Sequence, residues 1–149
     1  IQSNSYGEKL KSISSEINIF NQSCPLFVPL VEEGLTKGPI TKLIVESYLS
    51  HFKNTDVDTL ILGCTHYPIL SAVIKDVVGK NISLVDSGKA AAEVVMGVLK
   101  ENEILSGEPH GEVHSFITDS KQSFQTVITK ALTPEFNISI KSINRIDIG

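Results

Sequence analysis

Apolar positions along this chain alternate between helix-like and strand-like spacing. Tyr6, Leu10 and Ile13 recur at helical intervals, and residues 17–20 follow as a short strand ending in the loop Asn21-Gln22-Ser23-Cys24-Pro25. Residues 27–31 are an apolar run leading into Glu32, Glu33 and Gly34, which predicts a short helix stopped by the glycine. Gly38-Pro39 opens a clearer helix, with proline in its first turn and Ile40, Leu43, Ile44, Tyr48 and Phe52 as one apolar stripe.

Residues 56–62 read as a strand, and the unbroken Leu60-Ile61-Leu62 suits a parallel sheet covered on both faces. Gly63 ends it, and Pro68 marks the first turn of a helix carrying Ile69, Leu70, Val73, Ile74 and Val77. Residues 82–85 predict a second buried strand, and Asp86-Ser87-Gly88 turns into a helix through Ala90, Val94, Val95 and Leu99. A polar connection over 101–111 leads to a strand at 113–118, a helix at 120–132 and an alternating edge strand at 136–146. Strands alternating with helices predict an α/β fold, a three-layer sandwich around a largely parallel sheet. Ile1-Gln2-Ser3, with no initiating Met, reads as the tail of a strand cut through its middle.

Composition narrows the function classes. The chain has 149 residues, 41% of them hydrophobic and 20% charged, which is enough to bury a core. Its net charge of −4 and pI near 5.5 disfavour nucleic acid as a partner, since binding phosphates needs a basic surface. Neither a polybasic run nor an apolar stretch of about 18 residues is present, so no membrane partner is expected. The two cysteines do not make a disulfide framework; free thiols and a cytoplasmic location are the expectation.

In open parallel sheets, ligands sit beyond the carboxyl ends of the strands. The segment Gly63-Cys64-Thr65-His66-Tyr67-Pro68 occupies such a place, with a thiol directly after a buried strand and before a helix. The helix end and an imidazolium on His66 would both favour a Cys64 thiolate. Gly63 would let a ligand approach the backbone, and Thr65 offers a hydroxyl and an amide to an anion. Cysteine is also among the most buried residue types, so a packing role for Cys64 stands beside the catalytic one. Cys-x-His without a second ligand pair is a poor metal site, and no metal is expected.

Leu60-Ile61-Leu62-Gly63-Cys64-Thr65-His66-Tyr67-Pro68 resembles the second cysteine motif of glutamate racemases. Cys24-Pro25-Leu26-Phe27-Val28-Pro29-Leu30-Val31-Glu32-Glu33-Gly34 resembles the block that precedes it in that family. Asp86-Ser87-Gly88 with its Ala-rich helix, and His114 to Asp119 followed by Phe124, fit the same family. The resemblance implies a cofactor-independent enzyme that interconverts L- and D-glutamate with two thiols on opposite faces of the substrate. It supplies D-glutamate for peptidoglycan and uses neither pyridoxal phosphate nor metal. By that resemblance Cys64 is one of the two acid–base groups, His66 tunes it, Glu32 assists, and Thr65 with Gly63 binds a substrate carboxylate. For Glu32 a solvated helix-end acid is the competing reading. Arg145 is the single arginine, so bidentate clamping of the substrate is not the expected solution.

One departure is large. The family's N-terminal half, with its Asp-Ser-Gly and Cys-Asn-Thr motifs, has no counterpart here, and Cys24 matches a block whose cysteine is not catalytic. The resemblance implies two lobes assembled discontinuously: residues 1–86 most of the second lobe, and 87–149 the returning segment that completes the first. The isolated chain is therefore expected to be inactive and to expose unpaired sheet edges; family members are often dimers, so a homodimer is the implied assembly. The alternative is a non-catalytic module that holds a small dicarboxylate. A Cys–His hydrolase ranks behind both, for want of an oxyanion hole and an orienting acid.

Overall fold

A computed structural model describes residues 4–107, 111–118, 120–122, 124–125, 128 and 139–148. The chain begins with helix α1 (Ser5–Ile13), followed by α2 (Phe27–Glu32), α3 (Pro39–Leu49), strand β1 (Thr59–Leu62) and α4 (Ser71–Val78). Strand β2 (Ser83–Asp86), α5 (Ser87–Glu101), β3 (Glu112–Ile117) and β4 (Ser139–Arg145) complete it. Both ladders are parallel: β1 pairs with β2 from Thr59↔Ser83 to Leu62↔Asp86, and β3 pairs with β4. The α/β, parallel-sheet reading of the sequence holds.

Local chemistry explains the helix boundaries. Helix α2 ends where Gly34 turns left-handed at φ 74°. The Leu35 amide bonds back to the Leu30 carbonyl at 2.8 Å and the Gly34 amide to Val31 at 2.9 Å, the paired bonds of a Schellman stop. Helix α3 starts at Pro39 behind Gly38, whose φ of 100° suits glycine, as the sequence indicates. Asp86 caps α5 by accepting from the Gly88 and Lys89 amides at 2.8 and 3.2 Å.

The buried core joins α2, α3, α4 and β1. Phe27 is its centre, 1% exposed, with edge-on contacts to the rings of Tyr48 and Tyr67 at 5.6 and 5.1 Å. Val45, Leu49, Leu70 and Ile74 close around it. The stripe expected on α3 is rotated in the structure. Ile40 and Leu43 are exposed, and the buried face is Thr41, Val45 and Leu49, with Ile44 and Tyr48 half-buried beside it. A polar residue takes the buried place because the Thr41 hydroxyl finds the carbonyl of Leu35 at 2.9 Å and that of Lys37 at 3.2 Å.

Two strand expectations are corrected. Residues 17–20 form no strand, and β1 begins at Thr59 rather than at 56, with Leu60 and Ile61 only half-buried. Both differences share a cause: among the described residues β1 has β2 on one side and no ladder on the other, so neither segment has a neighbour there to pair it. Helix α5 buries none of its 15 residues, and Val94 and Val95 stand 67% and 55% exposed. The β3–β4 ladder slips by one residue between Val113 and His114. His114 contacts the Ser142 hydroxyl at 3.0 Å. Most of the helix expected at 120–132, the first residues of the strand expected at 136–146, Ile1-Gln2-Ser3 and His110 lie outside the described residues.

Candidate active site

The pairing Leu62↔Asp86 brings the carboxyl ends of β1 and β2 side by side. The loop after β1 and the first turn of α5 therefore share one end of the sheet. Gly63 to His66 make the crossing, and a 3-10 turn over Tyr67–Leu70 leads into α4. The Tyr67 amide bonds the Cys64 carbonyl and the Ile69 amide the His66 carbonyl, both at 3.1 Å, so the loop is a series of tight turns. Between this loop and α5 lies a recess of about 370 Å³ lined by Thr65, Pro68, Asp86, Ser87, Gly88 and Lys89.

Cys64 is half-buried and unbridged. His66 turns its Nε2 toward Glu32 of α2 at 3.7 Å and its Nδ1 toward the Thr65 hydroxyl at 3.4 Å. Four of the residues singled out from sequence, Glu32, Cys64, Thr65 and His66, thus gather at one place, although Glu32 lies 34 positions from His66. Glu32 is 58% exposed, so its attraction for His66 is weakened by water and is worth less than about 1 kcal/mol. Gly63 is exposed and its nearest neighbour is the Tyr6 ring, 3.5 Å from where a Cβ would stand.

Tyr67 is a member of this group that the sequence did not mark for a role. Its hydroxyl donates to the Cys24 carbonyl at 3.1 Å while its ring packs edge-on against Phe27, which ties the Cys64 loop to the core. Burial, followed by the nearby thiols of Cys24 and Cys64, raises its pKa. No sequence signal separates such a tyrosine from an ordinary loop residue. Among the described residues no cluster of three or more His, Cys, Asp or Glu side chains could hold a metal ion.

Cys24 is packed into the core, 4% exposed. Burial pushes its thiol from 9.0 up to about 11. Between those values the unfolded thiol has lost its proton and the folded one keeps it, so stability falls as pH rises through this window and is untouched by Cys24 below it. Urea unfolding at pH 10.5 should show about 2 kcal/mol less stability from this group than at pH 8. A Cys24→Ala variant should lose that share of the pH dependence; an unchanged slope would contradict the assignment.

No family model matches the chain. Individual relatives do. The glutamate racemase of Geobacter metallireducens is 40% identical over 125 residues, which are 83% of this chain and 46% of that protein. The glutamate racemase of a Sulfurihydrogenibium species is 44% identical over 124 residues, 83% of this chain and 45% of the relative. Among solved structures, the Francisella tularensis glutamate racemase in complex with D-glutamate superimposes with a TM-score of 0.80 at 28% identity, over 98% of this chain and 53% of that one. A glutamate racemase isoform from Bacillus anthracis gives 0.81 at 28% identity, over 99% and 53%. The chain spans about half the length of the curated relatives it matches. In sequence and in fold, the chain matches about half of a glutamate racemase.

Proposed function

We propose that this chain is the C-terminal part of a cofactor-independent glutamate racemase, and that Cys64 supplies one of its two proton-transfer groups. The observation that carries the reading is the meeting of Cys64, Thr65, His66 and Glu32 at the carboxyl end of a parallel sheet. In this scheme the Cys64 thiolate takes the α-proton of one glutamate enantiomer. A thiol on the opposite face, from the part of the polypeptide this chain does not cover, returns a proton to the carbanion. The reverse direction exchanges the two roles, so each sulfur must work as base and as acid.

The other residues take supporting roles. His66, held by Glu32, tunes or relays protons at Cys64. Thr65 offers its hydroxyl and amide to a substrate carboxylate, with Gly63 exposed beside it. Cys24 is no substitute for the second thiol, since it is buried and holds its proton to about 11. Residues 1–86 are read as most of one lobe and 87–149 as the segment returning to the other. The exposed apolar side chains of α5 fit a surface made for that other lobe. No described helix is long and apolar enough to cross a membrane. A cytoplasmic enzyme feeding D-glutamate to peptidoglycan synthesis, assembled as a homodimer, completes the reading. The isolated chain is inactive in this scheme.

The test is thiol labelling in a polypeptide that restores the uncovered part, made by joining the unmatched portion of the Geobacter metallireducens relative ahead of this chain. Iodoacetamide should alkylate Cys64 near neutral pH, millimolar glutamate should slow that reaction several-fold, and Cys24 should remain unlabelled. A Cys64 rate indifferent to glutamate would remove the substrate from this loop.

A further inference from the structure

We propose that Tyr67 is a positioning residue for Cys64, acting through the bond from its hydroxyl to the Cys24 carbonyl. The role rests on the racemase reading for the reaction that Cys64 serves, and on geometry for the anchor itself.

Tyr67 is bonded at two points, and each leads to a different part of the site. Its amide donates to the Cys64 carbonyl at 3.1 Å, closing the turn that carries the thiol. Its hydroxyl donates to the Cys24 carbonyl at 3.1 Å, across 43 positions of sequence. That carbonyl takes a second donor, the Phe27 amide at 3.1 Å, in the turn that opens α2. One oxygen with two lone pairs therefore joins the start of α2 to the Cys64 loop. The body behind that oxygen is rigid, since Phe27 and Val31 are each 1% exposed and Leu30 is 5% exposed. A shift of Tyr67 is passed to Cys64 rather than absorbed by α2.

The neighbouring residue faces the other end of the same helix. His66 approaches Glu32, the last residue of α2, so two adjacent loop residues meet opposite ends of one six-residue helix. The two contacts are unequal. His66 and Glu32 are 3.7 Å apart, beyond hydrogen-bond range, and Glu32 is 58% exposed. The Tyr67 bond is directional and partly buried, where losing it leaves a carbonyl short of a partner. Family likeness draws attention to Glu32, but the firmer hold on the loop is that of Tyr67.

The hydroxyl matters more here than the ring. Edge-on aromatic pairs are favourable over centroid separations of about 4.5–7 Å, so packing on Phe27 at 5.1 Å tolerates small displacements. A hydrogen bond is confined to about half an ångström and a narrow angle. Catalysis is sensitive on a similar scale, because a misplacement of about 1 Å can cost about 10²-fold. Burial, followed by the thiols of Cys24 and Cys64, raises the Tyr67 pKa, so the hydroxyl stays a donor while Cys64 loses and regains its proton.

The test is Tyr67→Phe in the polypeptide completed with the unmatched portion of the Geobacter metallireducens relative. This change keeps the ring and removes the hydroxyl. Tyr48→Phe, the same change in the other ring that stands on Phe27, is the control. Iodoacetamide labelling of Cys64 without glutamate reads the loop. It should be about threefold or more faster in Tyr67→Phe, because loosening exposes a half-buried thiol, and unchanged in Tyr48→Phe. Glutamate turnover reads the reaction: kcat should fall about tenfold with KM within about twofold of the parent.

Labelling of Tyr67→Phe that is slower or within about twofold of the parent would overturn the anchor. Equal acceleration in Tyr48→Phe, or loss of the cooperative urea transition in Tyr67→Phe, would make the bond a general folding contact and overturn the positioning role. So would an active parent whose Tyr67→Phe variant keeps its kcat or changes only in KM. Faster labelling in a polypeptide whose parent turns over no glutamate leaves the anchor standing and removes the racemase reading.

Discussion

Replacing Cys64 with serine in the completed polypeptide should lower glutamate racemisation by about 10²- to 10⁴-fold, the range that a positioned acid–base group supplies. The substitution changes one atom and keeps the side-chain volume close. Serine is a far poorer acid than a thiol, so it forms the required anion only at a large cost. The loop itself should be unharmed, because its turns are made by backbone bonds from Tyr67 to Cys64 and from Ile69 to His66. Chiral chromatography of the glutamate pool checks the rate, and the urea midpoint checks the fold. A variant with unchanged stability and more than a tenth of the parent rate would make Cys64 a bystander.

Phe27→Ala should destabilise the chain by about 3–5 kcal/mol, as expected for emptying a well-packed aromatic site. Phe27 is 1% exposed and is the ring on which Tyr48 and Tyr67 both stand edge-on. Its loss opens a cavity between α2, α3 and the turn before α4, and also withdraws two aromatic contacts. Against a typical total stability of about 5–15 kcal/mol, that change is a large fraction of the whole. Tyr67 would lose its packing partner, so the Cys64 loop should label faster as the fold loosens. Urea denaturation measures the effect, and a cost below about 1 kcal/mol would show that the core is not organised around this ring.

The helices were the legible part of the sequence because their signals are local. Gly34 and Gly38-Pro39 mark backbone conformations that few other residues adopt, and the structure places helix ends at both. Periodicity places the α3 stripe on a rotated face because it counts apolar side chains. It cannot register that Thr41 finds two carbonyls inside the core while Ile40 and Leu43 face out. Residues 17–20 failed for a different reason. Their alternation encodes a strand, but a strand exists only in a ladder, and the partner is not among the described residues.

The candidate site divides in the same way. Cys64, Thr65 and His66 are adjacent in sequence and were recognisable as one loop. Glu32 was connected to them only by family likeness, and its approach to His66 at 3.7 Å depends on how α2 packs over the turn before α4. Tyr67 belongs to the cysteine motif but its role is not legible there, because its bond to the Cys24 carbonyl spans 43 positions and involves a backbone group that every residue has.

In the proposed scheme this loop moves a proton at the α-carbon of glutamate. The most direct measurement is proton NMR of L-glutamate in deuterated water with the completed polypeptide. The account predicts loss of the α-proton signal as D-glutamate accumulates, with deuterium in the product, and no such loss with the Cys64→Ser variant. Glutamate that protects Cys64 from alkylation yet keeps its α-proton would contradict the account and leave a dicarboxylate-binding module in its place.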